Sequence, residues 1–350
     1  MTEQGTGDAA RRRPPTLKEI ADLTGVHVST VSRILRQDAP PDGWSENAQR
    51  VRRTAQELGY QPNPWAASLR TRRTKVLGAV MPRLTDGVIA TMFNGVQEAA
   101  EAAGYSVIMS SPADTPSAIR RAAELVASRQ VDGLIMSSVH RPGAEFVASI
   151  STHGAPTLLL SRHADTDLPS VTSADHEGGV LAARHLYELG HRHIGVVAGP
   201  DHASTAHDRV EGFRDGLREA GVEIDDDCVV ASAFEVDGGV EAARTLLQRT
   251  PRPTAIFSVN DTAAIGVLGV ARDLSLHIPG DLSVVGFNDI PIAAQLPVAL
   301  TTINTNAHEL GAIAVRQLLR LIAGEPVESV ALPVELVVRG STGPPRPARG

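Results

Sequence analysis

From Lys75 onward, short runs rich in Val, Ile and Leu recur between stretches of helical spacing: VLGAVMP, YSVIMSS, VDGLIMSS and PTLLLS, then HIGVVAGP, CVVASAF, AIFSVN and LSVVGFND. Strands that alternate with helices this regularly need crossover connections, and crossovers imply parallel pairing. Runs so continuous in apolar residues are expected to be covered on both faces. The runs fall into two sets, which predicts two doubly wound parallel-sheet α/β lobes. The first spans about 75–171 and the second about 172–300, with the last strands, LTTINT and LPVELVVRGS, crossing back. In such sheets ligands sit beyond the carboxyl ends of the strands, so a cleft is expected there.

With 42% apolar and 21% charged residues, the 350-residue chain has the composition of a soluble globular protein with two or three domains. No run approaches the roughly 20 apolar residues that cross a bilayer. The basic start Arg11-Arg12-Arg13 meets Pro14-Pro15 instead of an apolar signal core, so a cytoplasmic location is expected. A single cysteine, Cys228, excludes an internal disulfide and a Cys-based zinc site. The charge is uneven. Residues 1–75 hold 13 Lys/Arg against 8 Asp/Glu, or +5, and residues 76–350 hold 20 against 32, or −12, which together give the net −7. A short basic module on an acidic body can dock on nucleic acid through the module alone.

The module has its own grammar. Thr16-Leu17-Lys18-Glu19 has capping-box spacing and opens a helix expected to bury Leu17, Ile20, Ala21 and Leu23. Gly25 ends it, and only Gly25-Val26-His27 separates it from a second helix, Val28 to Arg36, whose Val31, Ile34 and Leu35 form the apolar stripe. This is helix-turn-helix spacing. Ser29, Thr30, Ser32 and Arg33 are left facing outward, short hydroxyls for phosphates and one bidentate donor for guanine. A third helix is expected from Ser45, as N-cap, to Leu58. The segment that follows, GYQPNPWAASLRTRRT, holds a possible helix of two turns, too short to be stable alone in water.

LKEIADLTGVHVSTVSRIL followed by ELGYQPNPWAASLRTRRT resembles the N-terminus of the LacI/GalR family of bacterial transcriptional repressors. The resemblance covers residues 16 to 342 and implies a domain plan. A tail (1–15) precedes a helix-turn-helix DNA-binding domain (16–61) and a hinge helix or linker (62–74). An effector-binding and dimerisation domain of the periplasmic sugar-binding-protein fold (75–342) and a second tail (343–350) complete it. It implies base-reading positions at Val28, Ser29 and Arg33, phosphate positions at Thr16, Thr30, Ser32 and Ser45, and minor-groove positions at Ala66 and Leu69. Leu69 would wedge between base pairs once the hinge folds on DNA. His27 stands where the family usually caps the recognition helix with Ser, and Arg36 replaces a common Asn.

Effector contacts are expected from polar residues at strand ends. Arg209 matches the family arginine that grips sugar hydroxyls or an anion, with Thr205 one turn earlier; Asp175, Asn260 and Asn288 follow strands, and Ser161 ends LLLSR. Ser161 and Asn288 stand where the family commonly has Asp, and Thr85-Asp86-Gly87-Val88-Ile89 lacks the aromatic pair common there, so no ring-stacking platform is expected from that loop. His191-Arg192-His193 reads as a turn entering a strand, and GTGDAA has no strand before it, so neither a metal nor a dinucleotide site is expected. No nucleophile elbow, Walker loop or His-Glu-x-x-His is present, so no enzyme activity and no cofactor are expected. The expected protein is a homodimeric repressor on a near-palindromic double-stranded DNA operator, controlled by a small polar effector, a carbohydrate or related metabolite, with no membrane partner. A transporter's solute-binding protein shares the body fold but not the helix-turn-helix.

Overall fold

The capping box read at Thr16 is formed in the computed structural model, which describes residues 15–35, 44–60, 73–141, 143–151 and 154–346. The Glu19 amide donates to Thr16 Oγ1 at 3.3 Å, and the Glu19 carboxylate accepts from the Thr16 amide at 2.6 Å. They open α1, Leu17–Thr24, which Gly25 closes at φ 66°, a left-handed conformation that a residue without Cβ adopts without strain. α2 is Val28–Ile34 and α3 is Glu46–Glu57, capped by Ser45, whose Oγ accepts from the Ala48 amide at 3.4 Å. Ile20, Val31 and Val51 are fully buried at the centre of the three helices, each worth about 1.5–3 kcal/mol of transfer free energy. Two expectations are corrected here. Leu23 is 67% exposed, because the buried stripe runs through Ile20, Ala21 and Thr24, and the Thr24 hydroxyl hides its donor on Ile20 O at 2.6 Å. α2 stops at Ile34, with Leu35 as its cap, and Arg36 lies outside the described residues.

The chain divides after Arg72 into two units, the second being Arg73–Gly350. That unit begins with β1 (Val76–Val80), α4 (Gly87–Ala102), β2 (Ser106–Ser110), α5 (Pro116–Ala127), β3 (Gly133–Met136), α6 (Ala144–Ser151), β4 (Thr157–Leu160) and β5 (Ser170–Ser173). It crosses to a second lobe and forms α7 (Asp175–Glu188), β6 (Ile194–Ala198), α8 (Ser204–Glu219), β7 (Val229–Ala231), α9 (Val236–Leu247), β8 (Ala255–Ser258), α10 (Asp261–Asp273), β9 (Ser283–Asn288) and β10 (Thr301–Asn304). It returns for α11 (Ala307–Ile322) and β11 (Val330–Leu332), then crosses a third time for β12 (Glu335–Val337). The first sheet has the order β11-β5-β4-β3-β1-β2, all parallel; the second is β12-β10-β9-β8-β6-β7, parallel except for β12 on β10. LTTINT thus stays in the second lobe, and the crossing strand is the one after it.

Strands β1, β3, β4, β6, β8 and β9 are buried almost throughout, which is why they read as continuous apolar runs. The covering helices pack in pairs at reciprocal glycines. A Cβ on Gly212 of α8 would stand 2.7 Å from the carbonyl carbon of His176 in α7, and one on Gly179 of α7 would stand 2.6 Å from Phe213 N. Gly95 and Gly311 do the same for α4 and α11, and Gly239 and Gly266 for α9 and α10. Backbone touches backbone at each crossing. The chain beyond 342 is bound as far as Arg346, where a tail was expected from 343: buried His191 engages Gly343 O at 2.9 Å, and Arg346 pairs with Asp281. His191 is spent on that tie and on Thr254 and Ser283.

Candidate functional sites

In the helical unit, Val28, Ser29 and Arg33 are exposed on α2, and Thr30 and Ser32 are half-buried beside them. His27, at the position where the resembled family usually has Ser, does cap α2: its Nδ1 accepts from the Ser29 amide at 3.3 Å and lies 2.8 Å from Ser29 Oγ. Thr16 and Ser45, the other phosphate candidates, cap α1 and α3, where backbone amides point outward and an anion is favoured. Two of the arginines on α3 hold the unit together. Arg50 donates to Thr24 O at 3.0 Å, and Arg52 donates to Ile34 O at 3.3 Å while its guanidinium stacks on Trp44. Ala66 and Leu69 lie outside the described residues.

In the second unit a narrow cleft runs between the lobes at the carboxyl ends of both sheets; out to its open mouth it spans about 510 Å³, of which about 40 Å³ is room for the centres of water-sized spheres. Ser161, Thr205, Arg209, Asn260 and Asn288 all line it. Asp175, the sixth candidate, stands directly behind Arg209. Arg209 Nε donates to Asp175 Oδ1 at 2.8 Å and Nη1 to Val259 O at 2.8 Å, and the guanidinium carbon lies 3.9 Å from the centre of the Phe287 ring. Burial pushes the Asp175 carboxyl up, and Arg209 opposes it.

Asn260 is used differently from the expectation. Its Oδ1 caps α10 on the Ala263 amide at 3.1 Å, and its Nδ2 holds Phe234 O at 3.1 Å, so its amide is committed to positioning the loop after β7. Neighbouring Asp261 is fully buried, accepts from Thr302 Oγ1 and the Ile290 amide, and is pushed up to about 7 by burial. Asn288, by contrast, reaches the cleft 6% exposed from a backbone at φ 108°.

Sequence reasoning missed Phe234, Arg83, Arg162 and Asp86. Phe234 supplies an aromatic wall from the second lobe, whereas an aromatic had been sought only on the loop of residues 85–89. It follows a three-residue edge strand, and its position after β7 was the available signal. Asp86 caps α4 through Val88 N and reaches Thr262 Oγ1 of the other lobe at 3.4 Å; burial pushes its carboxyl up.

At one edge of the cleft the lobes meet in a polar seam. Asp114 of the first lobe accepts from Arg162 Nη2 at 3.1 Å and from His140 Nε2 at 2.7 Å, and lies 3.3 Å from Nε2 of His202 in the second lobe. The two imidazoles stack with centres 3.9 Å apart. Against burial, which would raise it, Arg162 and the histidines hold the Asp114 carboxyl well below the usual carboxylate range. These donor atoms lie within 4.8 Å of one another, close enough for a metal, but Arg162 already bridges both carboxylate oxygens. Beside them His163 contacts Asp208 of the second lobe at 2.7 Å, and its amide donates to Ser204 Oγ at 3.0 Å. Among the described residues no helix is long and apolar enough to cross a membrane.

Residues 16–63 match the family described as bacterial regulatory proteins, lacI family, and residues 183–342 match the periplasmic binding protein-like domain. A ribose operon repressor from Halalkalibacterium halodurans is 30% identical over 329 residues, covering 93% of this chain and 97% of its own. The solved lac repressor dimer bound to operator and the anti-inducer ONPF aligns with a TM-score of 0.86 at 26% identity, over 95% of this chain and all of that one. A transcriptional regulator CelR–cellobiose complex aligns at 0.71 with 29% identity, over 93% of this chain and 99% of that one.

Proposed function

The chain belongs to the lacI family of bacterial regulatory proteins, and on that premise we propose that two copies of it repress transcription by gripping a near-palindromic operator, with a small polar ligand in the cleft controlling the grip. The observation that carries this reading is the capped α1–α2 pair, which leaves Val28, Ser29 and Arg33 exposed together on α2 in a chain that also holds a two-lobed cleft. Arg33 reads a base edge, Ser29 and Val28 contact neighbouring bases, and the hydroxyls of Thr16, Thr30, Ser32 and Ser45 together with the α1 and α3 termini take phosphates. Ala66 and Leu69 enter the minor groove of the bent operator.

The ligand lies between Thr205, Arg209, Ser161 and Asn288, with Phe234 as its apolar wall; a relative of the same fold holds cellobiose. Closing the cleft changes the relation of the lobes, and a coupling of about 1–3 kcal/mol between ligand and operator suffices for control. A second copy covers the groove lined by the half-buried Ile265, Leu268, Leu276, Ile278, Leu296 and Val298, an apolar concavity open to solvent that a partner's side chains can fill. Binding to selected and random duplexes tests the assignment. Arg33→Ala is expected to cost about 1–3 kcal/mol and to relax preference at one symmetric base pair; an equal loss on every sequence would make it a phosphate contact.

A further inference from the structure

Three arginines line the cleft, and the carboxylates they pair with stand outside its lining. Arg83, Arg162 and Arg209 line the space, and Asp86 is the one carboxylate that does so among the described residues. Asp114 and Asp175, which hold Arg162 and Arg209, are outside the lining, so neither of these carboxylates borders the space. Arg162 is itself only 4% exposed. Arg83 has a looser partner, Glu235 at 3.7 Å, whose side chain is more than half exposed to water, where an ion pair holds little. The guanidinium carbons of Arg83 and Arg162 lie 5.7 and 6.0 Å from the centre of the same Phe234 ring, which places both first-lobe cations near it. The lining also holds neutral groups, Ser161, Thr205 and Asn288, and Thr305, whose buried hydroxyl has no hydrogen-bond partner.

Resting on the reading of this cleft as the effector site, we infer that the effector is an anion-bearing polyol, a sugar acid or sugar phosphate. Its carboxylate or phosphate sits between Arg83 and Arg162 beside Phe234, and its hydroxyls reach Thr205, Arg209 and Asn288. A low-dielectric cleft lined by arginines strengthens charge-assisted hydrogen bonds to an anion and gives a neutral sugar no comparable gain. Burial pushes the Asp86 carboxyl up, which lessens the charge it sets against an anion.

The test is calorimetry on the full chain with matched probes: D-glucose and D-galactose, the corresponding aldonates and uronates, and the corresponding 6-phosphates. At least one anionic member is expected to bind about tenfold or more tightly than its neutral parent, and to weaken as salt is raised. Carboxylate and phosphate probes separate the two sources of charge. Arg83→Gln is expected to remove most of that advantage and Arg83→Lys to keep it. If a neutral parent binds as tightly as its acid and phosphate, and Arg83→Gln changes neither, the charge inference falls while the cleft remains an effector site. If no probe of either kind binds, the effector reading falls with it.

Discussion

Gly212 lies at the point where α8, the helix carrying Thr205 and Arg209, crosses α7, which begins at Asp175. Replacing it with alanine would drive a methyl into the His176 carbonyl oxygen, and would put it 2.7 Å from the carbonyl carbon and 2.8 Å from the Cα, all inside the 3.4 Å at which ordinary contact begins. The struck atoms are backbone on a packed helix, so no side chain can swing aside and the helices must part. Overpacking of this sort costs about 1–3 kcal/mol, and a rigid obstacle belongs at the upper end. Alanine returns up to about 1 kcal/mol in helix propensity. The net loss is therefore about 2 kcal/mol, which for a body of this size lowers Tm by roughly 3–4 °C. Thermal unfolding followed by circular dichroism measures it. Gly179→Ala strikes the same crossing from the other side, so the double variant should lose less than the two single losses combined, since helices already parted accept the second methyl. A Gly212→Ala protein melting within about 1 °C of wild type would refute the backbone-contact account. Effector affinity should fall with stability, because the displaced helix carries the arginine.

His27→Ala removes the acceptor that caps α2, and should weaken operator binding through a loss of about 1 kcal/mol in the helical unit while the body's melting transition stays in place; an unchanged operator Kd would show the cap to be idle. The hydrogen bond to Asp208 raises the His163 pKa, against burial and nearby Arg141, with Asp175 adding to the rise. A histidine whose folded pKa is raised stabilises fully below its unfolded pKa of about 6.5 and loses that contribution as pH climbs through the folded value. The stability gap between wild type and His163→Gln should therefore be widest at acid pH and close on the alkaline side, and denaturant titrations showing a constant gap would contradict it.

The local features were legible in the sequence because their causes are local. Thr16 and Glu19 are three residues apart, and the central strands of both sheets announce themselves by continuous apolar runs. Arg209 was legible through resemblance. Its partner Asp175 was also named, but as a ligand contact instead of the counterion it proves to be. Asn260 was placed correctly at a strand end, yet nothing in one sequence tells that its amide is occupied by Phe234 O and Ala263 N. The seam was invisible for a related reason: Asp114, Arg162 and His202 are brought together from three loops and two lobes, and only the topology makes them neighbours. Leu23 misled because a leucine next to a helical stripe looks buried until the helix phase is fixed.

The first lobe is completed by residues made last. β5 waits for β11 as its outer neighbour, and α4 waits for α11, both of which come from beyond residue 306. While the ribosome is still translating the second lobe, a stretch that takes on the order of ten seconds, the nascent first sheet keeps an uncovered oily flank and an open strand edge. Such an intermediate is a natural client for holding chaperones. A message cut short anywhere before that point yields a polypeptide in which neither half can finish, so truncation removes the sensor entirely and does not leave a deaf but durable half behind.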